Sequence, residues 1–214
     1  GTTPLEIAQR IGAGLARQTV AARLNDQLVD ATVPIEEDAS LQLITLNTAE
    51  GLEIYRHSSA HLMAHAVKEL FGSDVQVTIG PAIEGGFYYD FYSDKHTFSP
   101  DEFELIENKM AELAAADLPL VREVVKKDEA IALFCELGED YKVELIEDLD
   151  VDQVSLYRQG SFVDLCRGPH IPSTGMLKAF KLTSVAGAYW RGSEQNAMLQ
   201  RLYATAFPDK KELK

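Results

Sequence analysis

The chain is short of several things. It has two cysteines, one tryptophan and five histidines among 214 residues. Two cysteines make no disulfide framework, and a reducing cytoplasm is their natural setting. No run of about 18 apolar residues is present, so no membrane span is expected. Gly1-Thr-Thr-Pro4 shows no basic-then-apolar leader. Basic residues number 20 against 34 acidic ones, a net charge of -14. That balance argues against a nonspecific nucleic-acid binder, which needs a basic stripe to displace counterions. It leaves room for a local patch: Lys178, Lys181, Arg191 and Arg201 share a less acidic C-terminal stretch. Gly12-Ala-Gly14 is too short for a dinucleotide loop. Otherwise the composition is that of an ordinary soluble globular protein.

Periodicity divides the chain in two. In residues 1–47, Leu5, Ala8, Ile11 and Leu15 stand at helical spacing, which predicts one helix over Pro4–Leu15. Val20–Leu24 and Gln27–Val29 flank Asn25-Asp26 as a hairpin, and Leu41–Leu46 reads as a further strand. Asn47–Gly51 is a polar break, taken as the boundary. Beyond it come a long helix from about Leu52 to Leu70, an aromatic strand Gly86–Tyr92 and an acidic helix Pro100–Ala116. Leu120–Val125 reads as a strand, and Asp128–Leu137 and Asp140–Leu149 as helices. A hairpin follows over Ser155–Arg158 and Ser161–Cys166. Phe180–Trp190 and Leu199–Thr205 read as mixed strand and loop. The second unit is α+β.

What is scarce is also clustered. Four of the five histidines and one cysteine fall in His57-Ser-Ser-Ala-His61-Leu-Met-Ala-His65 and Cys166-Arg-Gly-Pro-His170. These side chains bind metals and move protons near neutral pH. Residues four apart on a helix stand about 6 Å apart along its axis, so His61 and His65 can face one point. His57 lies on the same stripe, but His57 to His65 spans about 12 Å, so one end histidine is an onlooker. On a strand, Asp164 and Cys166 share a face, and the following turn presents His170. His61, His65, Cys166 and His170 make a zinc set by residue type. Cys135 is expected to be a small buried residue, and His96, in Asp94-Lys95-His96-Thr97, a solvated one.

Together with Ile79-Gly-Pro81, Gly86-Phe-Tyr-Tyr-Asp90, Tyr141-Lys142, Asp164-Leu-Cys-Arg-Gly-Pro-His170 and Ala188-Tyr-Trp-Arg-Gly192, the first cluster resembles the N-terminal part of the bacterial threonyl-tRNA synthetase family. The resemblance covers essentially the whole chain. It implies a small ubiquitin-like β-grasp domain at 1–47, lacking its first hairpin. It further implies an editing domain at 51–207, of the type shared with alanyl-tRNA editing proteins. Residues 208–214 would start a helix leading to an absent class II core.

The activity implied is hydrolysis of mischarged seryl-tRNA(Thr). The substrate partner is tRNA(Thr) charged with serine, and the rest of the synthetase is the protein partner. A cytoplasmic, membrane-free monomer is expected. In this reading Asp164 takes the serine ammonium, and His61 orients the ribose hydroxyl or activates water. Lys142 stabilises the oxyanion or serves as base, His65, Cys166 and His170 shape the pocket, and His57 is left as a bystander. The resemblance points away from a required metal, because threonyl-type sites look metal-independent whereas the alanyl relatives use zinc. The alternatives are a zinc-dependent deacylase for another mischarged tRNA and a non-catalytic tRNA-binding module.

Overall fold

A computed structural model describes residues 1–213. The first element, α1 (Pro4–Ile11), opens with a capping box in which Thr3 and Glu6 satisfy each other's backbone N–H. The single helix expected over Pro4–Leu15 is two: α1 stops at Gly12, and α2 (Ala13–Gln18) starts afresh in a new direction. Strands β1 (Thr19–Leu24), β2 (Gln27–Asp30) and β3 (Leu41–Thr45) form an antiparallel sheet in the order β2-β1-β3. Asn25 and Asp26 both have positive φ, 47° and 67°, as a two-residue hairpin turn requires.

Asn47–Gly51, the polar break, proves to be the start of a helix. Thr48 caps α3 (Ala49–Phe71) by accepting the Gly51 N–H at 3.0 Å. Ser58 to Val67 is buried without interruption, so α3 is a central helix with no solvent face over this stretch. Its surroundings come from both units. Val20, Ala21 and Ile44 of the first sheet join one continuous core with Ile54, Tyr55, Leu62 and Met63.

On another side lies a five-stranded sheet: β4 (Gln76–Val77), β5 (Ala82–Ile83), β6 (Gly86–Tyr92), β10 (Ala179–Tyr189) and β11 (Met198–Phe207), ordered β10-β11-β6-β4 with β5 on β6. Helix α4 (Phe103–Ala115) covers α3 further along. The C-terminal residues expected to be part loop are thus two long paired strands. Exposed residues of β10 come in the neighbouring pairs Thr183-Ser184 and Ala186-Gly187, so little alternation was there to read.

A third sheet, β7 (Leu120–Lys126), β8 (Gln153–Gln159) and β9 (Phe162–Leu165), is ordered β7-β8-β9. Its outer face carries Val154, Leu156 and Val163, packed under α5 (Lys127–Glu136) and α6 (Asp140–Glu147) in a second core with Phe134 and Ile146. Its inner face carries Tyr157 and Phe162 into the main core. Of the helix expected from residue 208, Lys210–Leu213 form a short 3-10 turn, and Lys214 lies outside the described residues. Cys135, expected to be buried, is exposed, since α5 turns Ala130 and Phe134 inward instead.

Candidate active site

The histidine stripe of α3 meets the end of β9 at the first two histidines. His57 Nε2 lies 3.1 Å from Cys166 Sγ, and His170 Nε2 lies 3.2 Å from the same sulfur. The His57 and His170 rings stack at 4.6 Å, and His61 stands edge-on to His170 at 4.2 Å. One donor atom from each of His57, His61, Cys166 and His170 lies within 4.8 Å of the others.

The onlooker is therefore His65, not His57. Eight residues of helix turn His65 about 80° from His57 and carry it about 12 Å along the axis. There its Nδ1 meets Gln159 at 3.0 Å, and its Nε2 lies 3.3 Å from both Ser161 and Glu69, beside a separate small cavity. In sequence the two i, i+4 pairs are equivalent. Only the placement of β9 against the first half of α3 distinguishes them.

Asp164 and Lys142 meet, as the two candidates from distant segments. Lys142 Nζ lies 2.6 Å from Asp164 Oδ1, with Lys142 3% and Asp164 1% exposed. Tyr89 donates to Asp164 Oδ2 at 2.8 Å, and His61 Nδ1 lies 3.6 Å from that oxygen. Tyr89 was missed in the sequence. Its signal was alternation: Phe87, Tyr89 and Phe91 are the buried face of β6, and Tyr89 is the one with a polar tip. Gly80 lets the loop before β6 press on Tyr89, since a Cβ there would stand 2.1 Å from the ring.

Helix α6, which carries Lys142, is tied to the Ala188–Gly192 segment. Trp190 Nε1 donates to Glu144 at 3.1 Å, and the Tyr141 ring meets Trp190 edge-on at 5.0 Å. Arg191 pairs with Glu144 at 3.1 Å and with Asp148 at 2.5 Å. Arg201 forms a two-point contact with Asp90, at 2.8 and 2.9 Å. The basic patch expected at the C-terminus is thus half neutralised, leaving Lys178 and Lys181 exposed. His96, expected in solvent, is partly buried beside Phe71 and Phe98, with Glu102 at 3.1 Å.

Burial governs protonation here. It drives the His61 and His170 pKa values well below the usual imidazole range, and that of His57 down as well, so these rings are neutral at pH 7. Burial also pushes the Cys166 thiol up to about 12, which leaves it an unreactive thiol. Tyr89 is raised well above its ordinary value by burial and by the Asp164 carboxylate.

Three histidines and a cysteine are a zinc donor set, and donors on tetrahedral zinc stand about 3.3–3.7 Å apart. The observed cage would need to close only slightly to fit one. Supporting groups for such an ion are present: Ser58 Oγ lies 2.9 Å from His170 Nδ1, and Asp164 backs His61.

These groups open onto a cleft of about 620 Å³, a size usual for small-molecule sites. His57, His61, Lys142, Asp164 and Cys166 line its polar end, while Val124, Leu145, Leu149 and Val151 form an apolar wall. His170 sits behind them, out of the lining. Its backbone N–H donates at 2.8 Å to Asp30, a residue of the first unit. Tyr157 donates to the same carboxylate at 2.8 and 3.0 Å, and its ring meets His170 edge-on at 4.5 Å. Gly168 has φ +75°, and a Cβ there would lie 1.8 Å from the Tyr157 hydroxyl, so only glycine lets the turn pass.

Residues 1–45 match the TGS domain, and residues 154–203 match the Threonyl and Alanyl tRNA synthetase second additional domain. The class defined is a small β-grasp-like domain followed by that α+β domain. The whole chain is 72% identical to the threonine–tRNA ligase of Syntrophotalea carbinolica over 213 residues. Over the same length it is 59% identical to that of Geobacter sp. strain M21 and 58% to that of Citrifermentans bemidjiense. It covers 33% of each of these relatives, so it spans about a third of their length. The chain belongs with the threonyl-tRNA synthetases, as the N-terminal region that carries these two domains.

Proposed function

We propose that this chain hydrolyses the ester of seryl-tRNA(Thr), releasing serine and tRNA, in a cytoplasmic setting and as a monomeric unit of a larger synthetase. The observation that carries the reading is the buried Lys142–Asp164 pair beside neutral histidines in the cleft. The need for such a step follows from energetics. Serine lacks one methyl of threonine, and a methyl contact discriminates by only about 1–3 kcal/mol. A second site can sieve in the other direction, admitting serine and excluding threonine by steric clash.

In this reading the serine ammonium takes a place on Asp164, whose second oxygen is held by Tyr89. Lys142 Nζ, freed to move a short distance, donates to the ester carbonyl oxygen and stabilises the oxyanion as water adds. An ammonium already paired with a carboxylate is a donor, so Lys142 is read as the electrostatic group and not as the base. A neutral imidazole of His57 or His61 accepts the water proton, and the departing ribose oxygen receives it when the ester bond breaks. Cys166 remains a thiol and shapes the pocket, with no acyl-enzyme. The apolar wall faces the terminal base.

Because Lys142 supplies positive charge where the carbonyl would lie, hydrolysis is read as metal-independent. The four-donor cage favours a second reading, a zinc-dependent deacylase for another mischarged tRNA. There His57, His61, Cys166 and His170 would hold the ion, which when bound would lower the pKa of a water ligand.

The test is the deacylation of seryl-tRNA(Thr) and threonyl-tRNA(Thr) by the purified chain. Serine is expected to be lost at least tenfold faster than threonine, in the presence of a strong chelator as in its absence. Loss of serine no faster than in buffer refutes the hydrolytic reading, and activity that vanishes with chelator and returns with zinc selects the second one. Zinc titration separates the donors: His57→Ala lowers affinity, and His65→Ala does not.

A further inference from the structure

The chain has nine arginines, of which Arg10, Arg17 and Arg56 join no ion pair among the described residues and stand outside the cleft lining. Arg23, Arg158, Arg191 and Arg201 are each paired with a carboxylate. Arg122 and Arg167 are exposed and, among the described residues, have no carboxylate within ion-pair distance. Asp30, the acid whose charge Arg122 feels, is already engaged by Tyr157 and the His170 N–H. Of the five arginines without an acidic partner among the described residues, Arg122 and Arg167 are set apart by where they stand. Both line the catalytic cleft, and both also line the crevice between the two units, so they form the ridge where the cleft opens.

Register places one of them relative to the chemistry. Arg122 of β7 is opposite Tyr157 of β8, and Tyr157 is opposite Asp164 of β9. Directly opposed residues share a face, so Arg122, Tyr157 and Asp164 form one row across the inner face of the sheet. Two strand spacings of about 4.8 Å put Arg122 about 10 Å from Asp164. In an aminoacylated nucleotide, eight covalent bonds separate the amino nitrogen from the 5′-phosphorus. At about 1.2 Å of reach per bond that is also roughly 10 Å. A ligand with its ammonium at Asp164 therefore brings its 5′-phosphate to the arginine ridge.

We propose that Arg122 and Arg167 are the phosphate subsite of this cleft, gripping the 5′-phosphate of the 3′-terminal nucleotide while its aminoacyl group reaches Asp164. The proposal rests on the hydrolytic reading above and adds an anchor to it. Guanidinium forks bind phosphate oxygens with charge-assisted, two-point hydrogen bonds, which a lysine cannot reproduce in full. The ridge acts in binding and takes no part in the bond-breaking step.

The experiment compares two small esters, 3′-O-seryl-adenosine and its 5′-monophosphate, with the full chain. Wild type is expected to show a KM about tenfold lower for the phosphorylated ester, with kcat alike for both. Arg122→Ala and Arg167→Ala each shrink that preference, the double variant abolishes it, and Arg122→Lys retains part of it. With seryl-tRNA, each lost contact also reduces the slope of log KM against log salt by about 0.7. A preference that survives in the double variant overturns the proposal, as does a wild type indifferent to the phosphate. So does a variant that slows both esters equally, since that marks a structural role through Asp30. If wild type cleaves neither ester nor seryl-tRNA, the hydrolytic reading falls and takes the subsite with it. Wild-type cleavage of both esters without preference sinks the subsite alone.

Discussion

Asp30→Ala tests whether the first unit is part of the active site or merely precedes it. The carboxylate is the acceptor for two donors of the second unit, the Tyr157 hydroxyl at 2.8 Å and the His170 N–H at 2.8 Å. Alanine leaves both without a partner in a region where Tyr157 is 2% and His170 is 1% exposed. Each stranded buried donor costs about 1–3 kcal/mol, so the gross loss is about 2–6 kcal/mol. Burial opposes part of this. It raises the Asp30 pKa despite both hydrogen bonds, which means that the charged carboxylate is itself costly to bury, and alanine removes that cost. The net loss therefore belongs at the lower end of the range, about 2–3 kcal/mol. For a chain of this size each kcal/mol moves Tm by about 2–4 °C, so the expected fall is about 5–10 °C. Asparagine keeps an acceptor and should cost less than half as much. The functional effect passes through two layers, from Asp30 to His170 and Tyr157, and from His170 to Cys166, His57 and His61. Seryl-tRNA hydrolysis should drop about 3–10-fold in kcat, and Asp30→Ala in a His170→Ala background should lower kcat no further. Calorimetry and single-turnover deacylation read the two effects. A Tm within 2 °C of wild type, or an undiminished further loss in the double variant, refutes the coupling.

Two more outcomes follow from the buried ionisable groups. Lys142→Met strands Asp164 and should cost about 3–5 kcal/mol in a urea melt, while Lys142→Met/Asp164→Asn recovers much of that loss without recovering activity; a double variant as unstable as the single one contradicts the pairing. The metal-free chain should lose stability as pH falls. His61 and His170 have folded pKa values well below the unfolded 6.5, so the unfolded chain binds more protons below neutrality, and their contribution, complete above pH 7, drains away as pH falls through 6.5. Two such groups amount to about 2–3 kcal/mol between pH 7 and 5.5. The raised carboxyls of Asp30 and Glu139 act in the opposite sense, so the clean measurement is the difference from His61→Gln. That variant should lose about half of the drop, and an unchanged pH slope counts against the neutral-histidine assignment.

How much of this was legible in the sequence depends on the distance over which each residue finds its partners. The hairpin at Asn25-Asp26, the aromatic strand Gly86–Tyr92 and the strand bearing Asp164 are written in local turn chemistry and in alternation, and they are found where those patterns put them. Strand β10 is not, because a register shift between Leu182 and Ser184 breaks its alternation, whereas β11 does alternate from Leu202 to Phe207. Within the site, Asp164, Cys166 and His170 could be grouped because one strand and its turn carry them. The preference for His65 over His57 is reversed in the structure, since a helix presents both pairs identically and the selector, β9, lies about a hundred residues on. Tyr89 was within reach of the period-two rule. Asp30 was not: its partners are 127 and 140 residues away, and nothing local distinguishes it from any acid at the end of an edge strand. The same holds for Arg122, whose interest lies in its place at the mouth of the cleft. Short-range patterns thus locate the residues that carry chemistry, while the residues that aim them come from parts of the chain with no pattern in common.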